Sequence, residues 1–205
     1  MSPRVVLATR NAHKIPEIHD ILADEGVELD LVGVSEYPDV ADVVETGLTY
    51  AENSLLKARA VAVATGLPAL ADDSGLSVDA MNGMPGVFSG RWAGRHGDDK
   101  ANVSLLLAQL TDVPDEHLGA AFVSVAALVV PGADGTLTEV TREGRVAGHL
   151  VREPRGTNGF GYDPIFVPTS DTLTLAEQTA AQKNAKSHRS EAFRAIAPVV
   201  AKVLS

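Results

Sequence analysis

The 205-residue chain is 45% hydrophobic and 21% charged, enough apolar material for a core without disulfides or a structural metal. It has no cysteine, which excludes disulfide frameworks, thiolate zinc sites and cysteine nucleophiles. A net charge of -10 repels a phosphate backbone, so a nucleic-acid polymer is not an expected partner, although one small phosphate ligand remains compatible with it.

In chain order, Val5 to Thr9 reads as a buried strand. Ile15, Ile18, Ile21 and Leu22 repeat at helical spacing, with Pro16 suited to the first turn and Gly26 to the end. Leu29 to Val34 suits a second strand. Thr49 with Glu52 forms a capping-box signature for a helix to about Thr65, with Leu55, Ala58 and Ala62 on one face. A strand over Ala69 to Asp73, a Gly-rich loop over 82–97 and a helix over Asp98 to Leu110 follow. Ala120–Val130 and Leu137–Val146 read as strands joined by a turn, Asn158–Val167 as a Gly-rich then extended stretch, and Ser187 as the cap of a last helix containing Pro198. No linker divides the chain, and the mixture points to one α/β domain over 1–205 with a mixed sheet. The start, MSPRVVLATR, turns polar too soon for a signal peptide, and the longest apolar run, Val123–Pro131, is too short to span a bilayer. A soluble cytoplasmic protein without a membrane partner is expected.

Four constellations carry chemistry. In LATRNAHK, Thr9, Asn11 and Lys14 lie between a strand and a helix, where free N–H groups and the helix dipole favour an anion. The alternative is a capped helix with a solvated lysine. Glu45 precedes the next helix, which carries Asn53, and ALADDSGL places Asp72 and Asp73 after an apolar run. Carboxylates with water and phosphate oxygens are the ligands Mg²⁺ takes, and one carboxylate can accept a proton from water. A turn built on Asp-Asp-Ser-Gly is the competing reading. In TNGFGYDP, glycines flank Phe160, whose ring could stack on a base, and Asp163 could accept from a ring N–H; aromatics filling a core are the alternative. In QKNAKSHR, Lys183, Lys186, His188 and Arg189 gather at a helix start, against the dipole. Lys183 could neutralise phosphate, and His188 and Arg189 could donate to a carbonyl, while a solvated basic turn suits Lys186. Arg91, beside Trp92, could reach phosphate or stack on the ring.

Together and in this order, TRNAHK, ETGLTYAEN, LADDSGL, GMPGVFSGRW, REPRGTNGFGYDPIF and QKNAKSHR resemble the inosine triphosphate pyrophosphatase family, over nearly the whole chain. The resemblance implies an elongated, two-lobed α/β fold around a long mixed sheet, with the active cleft between the lobes, and a homodimer. It implies Mg²⁺-dependent hydrolysis of ITP, dITP and XTP to the monophosphate and pyrophosphate, which clears deaminated, noncanonical purines from the nucleotide pool. Carried over by position, Thr9, Arg10, Asn11, Ala12, His13 and Lys14 bind triphosphate. Glu45 and Asp73 serve the metal, Asp73 is the proton acceptor, and Ser74 contacts substrate. Phe160, Gly161, Tyr162, Asp163, Lys183, His188 and Arg189 complete the nucleotide pocket, with Arg189 or His188 donating to the oxygen at position 6 of the base. Two departures stand out: Arg10 where many relatives have Gly, a strained choice only at positive φ, and Gln182 where the family has Glu, an exchange expected to be harmless. A hydrolase of modified pyrimidine triphosphates and a non-catalytic nucleotide-binding module are the competing functions.

Overall fold

The computed structural model describes residues 2–12 and 14–204. Six strands form one mixed sheet in the order β2-β1-β3-β4-β5-β6: β1 Arg4–Leu7, β2 Asp30–Gly33, β3 Ala69–Val78, β4 Gly119–Pro131, β5 Leu137–Leu150 and β6 Phe166–Pro168. β1 runs parallel to β2 and β3, whereas β5 and β6 pair antiparallel. The helices are α1 Lys14–Asp24, α2 Tyr50–Thr65, α3 Asp99–Gln109, α4 Ala180–Ala185 and α5 His188–Leu204.

Local sequence explains most boundaries. The Thr49 hydroxyl accepts from the Glu52 N–H at 3.1 Å, and the Glu52 carboxylate accepts from the Thr49 N–H at 3.0 Å, closing the expected capping box. Gly66 ends α2 in the left-handed conformation. The same reciprocal cap, built from Thr179 and Gln182, opens the six-residue α4, so Gln performs there the capping that Glu would. Arg10 is not at positive φ; Asn82 is the only non-glycine in that region among the described residues.

Two expectations need correction. β3 does not end at Asp73 but continues to Val78, so Asp72 and Asp73 lie in mid-strand rather than in a turn. The Gly-rich stretch over 82–97 is not all loop: it holds a 3₁₀ segment, Gly86–Arg91, and another, Asp79–Met81, precedes it.

The chain divides into two compact units. The first comprises the chain up to Asp73, Ser124–Gly144 and the chain from Arg189; the second comprises Ser74–Val123 and Arg145–His188. Neither is a continuous stretch, so no linker marks the division in the sequence. In the first unit, strand alternation builds two cores on opposite faces of the sheet. Val5, Leu7, Leu70, Ala126 and Leu128 pack with Ile18 and Leu22 of α1 and Phe193, Ile196 and Val200 of α5. Val6, Ala69, Ala71, Ala127 and Val129 pack with Ala58, Val61 and Ala62 of α2. Each large apolar side chain fully buried here contributes about 1.5–3 kcal/mol. The second unit has its own core, in which Leu76, Val78, Leu106, Phe122, Tyr162, Ile165 and Phe166 take part.

Candidate functional site

The alternation that sorts the cores also sorts the acids. Leu70 and Asp72 point to the α1/α5 face, and Ala71 and Asp73 to the α2 face. The two adjacent carboxylates therefore have different partners.

Asp72 is 5% exposed. The Lys14 ammonium donates to both of its oxygens, at 2.9 and 3.0 Å, and Arg189 Nε donates to Oδ2 at 3.1 Å. Arg189 Nη1 also reaches Glu17 Oε1 at 3.4 Å. Burial alone would push the Asp72 carboxyl up, but Lys14 and then Arg189 outweigh it and hold it well below the usual carboxylate range. Burial likewise opposes the Arg189 charge, and Asp72 and Glu17 outweigh it, so its pKa is raised. One helix start, one buried strand position and the first turn of the last helix are thus joined by charge.

On the other face, Asp73 meets α2 and the loop ahead of it. Lys57 Nζ donates to Glu45 Oε1 at 2.7 Å and to Asp73 Oδ1 at 3.3 Å. Asn53, fully buried, donates through Nδ2 to Asp73 Oδ2 at 3.2 Å and accepts the Gly47 N–H at 2.7 Å. Its amide orientation is forced, because only the oxygen can accept from a backbone N–H. One side chain thereby ties the segment carrying Glu45 to the strand carrying Asp73. Position 47 has to be glycine for this contact: a Cβ there would lie 2.7 Å from Asn53 Oδ1 and 2.6 Å from Glu52 Cβ. Burial, and next to it the Glu45 charge, push the Asp73 carboxyl up against the opposing pull of Lys57 and Asn53. Lys57 is raised: burial works against its charge, but Asp73 and Glu45 more than offset that.

Of the strand-to-helix turn, Thr9 is half-buried and its hydroxyl accepts the Asn11 N–H at 3.2 Å. Asn11 and Ala12 are exposed, and His13 lies outside the described residues. Arg10 is exposed and turned to the 40–42 segment, donating to Asp42 Oδ1 at 2.5 Å and to the Val40 carbonyl at 2.8 Å.

In the second unit, Ser74 is half-buried on β3. Phe160 is 67% exposed, which is unusual for so large an apolar ring, and Lys183 Nζ sits 4.8 Å from its centroid. Asp163, 2% exposed, accepts the Phe160 N–H at 2.8 Å and also pairs with Lys183. Gly159 makes room for that carboxylate: it has φ +73°, and a Cβ would stand 2.0 Å from Asp163 Oδ2. The Gly161 N–H donates to Asp99 Oδ2 at 2.7 Å. Tyr162 follows the core-filling alternative with its ring, and its hydroxyl donates to the Ser89 carbonyl at 2.9 Å. That ring is no platform for a base. The His188 imidazole stacks on Phe122, with centroids 5.0 Å apart.

Asn53, Lys57, Glu17 and Asp99 join the residues expected from sequence. Only Asn53 and Lys57 left a signal, as polar residues four apart on the helix that follows Glu45.

The Ham1 family profile matches residues 5–199. The chain belongs to the Ham1 family. It is 61% identical over 201 residues to the dITP/XTP pyrophosphatase of Streptomyces coelicolor, covering 98% of each chain. With the dITP/XTP pyrophosphatase of Mycobacteroides abscessus it shares 50% identity over 198 residues, covering 96% of this chain and 94% of the relative. Among solved structures, the HAM1 protein from Coxiella burnetii superposes with a TM-score of 0.88 at 40% identity, covering 98% of this chain and all of that one. The nucleoside-triphosphatase (dITP/XTP pyrophosphatase) from Mycobacterium abscessus does so with a TM-score of 0.80 at 51% identity, covering 96% of this chain and 99% of that one.

Proposed function

We propose that this protein hydrolyses the triphosphates of deaminated purines, dITP, ITP and XTP, to the monophosphate and pyrophosphate. The observation that carries the reading is the Glu45–Lys57–Asp73 cluster, two mostly buried carboxylates around one cation, in a chain 61% identical to a dITP/XTP pyrophosphatase.

The cluster fits a divalent metal. Its donors are hard carboxylate oxygens, and the Lys57 ammonium already stands in as a cation between them. No group of three or more acidic or histidine ligands occurs among the described residues. Two carboxylates, completed by waters and substrate phosphates, match the habit of Mg²⁺ rather than a full protein cage. Glu45 and Asp73 would hold the ion, which when bound supplies charge neutralisation at phosphate and a more acidic water. Asp73 takes the proton from the attacking water, as a carboxylate placed beside that water can. Lys57 and Lys14 offset phosphate charge, with Lys14 held in place by Asp72. Thr9, Asn11 and the backbone to Lys14 serve the triphosphate at the start of α1.

In the second unit, Phe160 offers the exposed ring on which the base stacks, and Asp163 and Asp99 fix its loop. Phe160→Ala is expected to raise KM for the nucleotide by about tenfold or more, since stacking is worth about 1–3 kcal/mol per base, with kcat little changed. Steady-state kinetics on dITP read this directly. His188 and Arg189 are proposed to recognise the oxygen at position 6. For Arg189, which is held by Asp72 and Glu17, that role falls to donors beyond those two pairs. No helix among the described residues is long and apolar enough to cross a membrane; a cytoplasmic homodimer, one domain per chain, completes the proposal.

A panel of purine and pyrimidine triphosphates with Mg²⁺, with products identified, tests it. Pyrophosphate from dITP, ITP and XTP is expected. Orthophosphate release, a pyrimidine preference, or tight binding of ITP without turnover would reject it.

A further inference from the structure

We infer that Lys57 plugs the metal site of the nucleotide-free protein, so that a divalent ion binds well only once a polyphosphate draws the ammonium away. The inference rests on the proposed metal role of Glu45 and Asp73 and concerns how that site is filled.

Lys57 bonds to both carboxylates at once, at 2.7 Å to Glu45 and 3.3 Å to Asp73, and its side chain is only 17% exposed. The Asp73 and Glu45 side chains are 12% and 28% exposed, so these charges meet largely out of water. Two carboxylates and one ammonium leave one negative charge. A dication added to the same oxygens would leave one positive charge, with ammonium and metal in direct repulsion. Asn53 restrains the two acids from separating to relieve it, because it bonds both the Asp73 carboxylate and the Gly47 N–H of the segment that follows Glu45. Movement therefore falls to Lys57, a flexible four-carbon stem on α2. The oxygens of a polyphosphate give its ammonium somewhere to go. Metal and nucleotide then bind with positive coupling, each favouring the other.

The test is Mn²⁺ binding, followed by electron paramagnetic resonance, in the nucleotide-free wild type, Lys57→Met, Lys57→Gln and Glu45→Gln. Both Lys57 variants are expected to bind Mn²⁺ tighter, by about tenfold, because an opposing charge is gone. Adding inorganic tripolyphosphate should then tighten Mn²⁺ binding more in the wild type than in either variant. Thermal unfolding without metal, lower in Lys57→Met and restored by Mn²⁺, confirms that the variant is folded with its acids facing. Unchanged or weaker Mn²⁺ binding in both Lys57 variants, with binding lost in Glu45→Gln, overturns the inference and leaves the site reading intact. Binding indifferent to Glu45→Gln overturns both.

Discussion

Replacing Asp73 with Asn is expected to slow pyrophosphate release by about 10²–10⁴-fold, the usual worth of a positioned general base. The substitution keeps the shape of the side chain, and its surroundings are well defined. One carboxylate oxygen accepts from Asn53 Nδ2 at 3.2 Å and the other from Lys57 Nζ at 3.3 Å. An amide can preserve the first contact only by presenting its oxygen there, which turns its NH₂ toward the Lys57 ammonium. Proton acceptance is lost in either orientation. The loss should appear in kcat, with a smaller change in KM, because Lys14 and Lys57, proposed to offset phosphate charge, remain. Rates under saturating dITP, with circular dichroism to confirm folding, check this. A fall of less than about tenfold would mean that some other group takes the proton.

Replacing Asp72 with Asn has a different expected signature, in stability first. Asp72 holds Lys14 and Arg189 together while almost wholly buried. Removing one member of a buried charge cluster leaves its partners uncompensated, typically at about 3–5 kcal/mol. Urea unfolding should show a loss of that order at neutral pH, and Lys14, no longer anchored, should raise KM for the nucleotide. The pH dependence follows from the depressed carboxyl. A group whose folded pKa lies below its unfolded value gives stability that is complete above the unfolded value, about 3.9 for aspartate, and is lost as pH falls below it. The wild type should therefore lose stability between about pH 4 and 3 more steeply than Asp72→Asn. Parallel curves for the two proteins would show that Asp72 is not the paired acid described.

Much of this arrangement is legible in the sequence because the signals are local. Thr49 and Glu52 cap α2 as their spacing demands, and Val5, Val6 and Leu7 sort onto alternate faces. The opposite facing of Asp72 and Asp73 is implicit in the same alternation. It is obscured by Asp-Asp-Ser-Gly, which has the chemistry of a turn and so hides a strand running on to Val78. Lys57 is not legible in the sequence because a lysine on an alanine-rich helix ordinarily faces solvent. Only the non-local placement of α2 over β3 makes it the partner of Glu45 and Asp73. Tyr162 shows the converse: it neighbours the exposed Phe160, but its hydroxyl finds the Ser89 carbonyl inside the core. The six-residue α4 is too short to show a helical period, and its cap rests on a single Thr179–Gln182 pair.

The most direct measurement is hydrolysis of dITP in water enriched in ¹⁸O, with both products analysed by mass spectrometry. If a water deprotonated by Asp73 attacks the α-phosphorus, the label enters the nucleoside monophosphate, and the released pyrophosphate carries none. Label in the pyrophosphate, or labelled orthophosphate with a nucleoside diphosphate, would place the attack on another phosphorus and contradict the account.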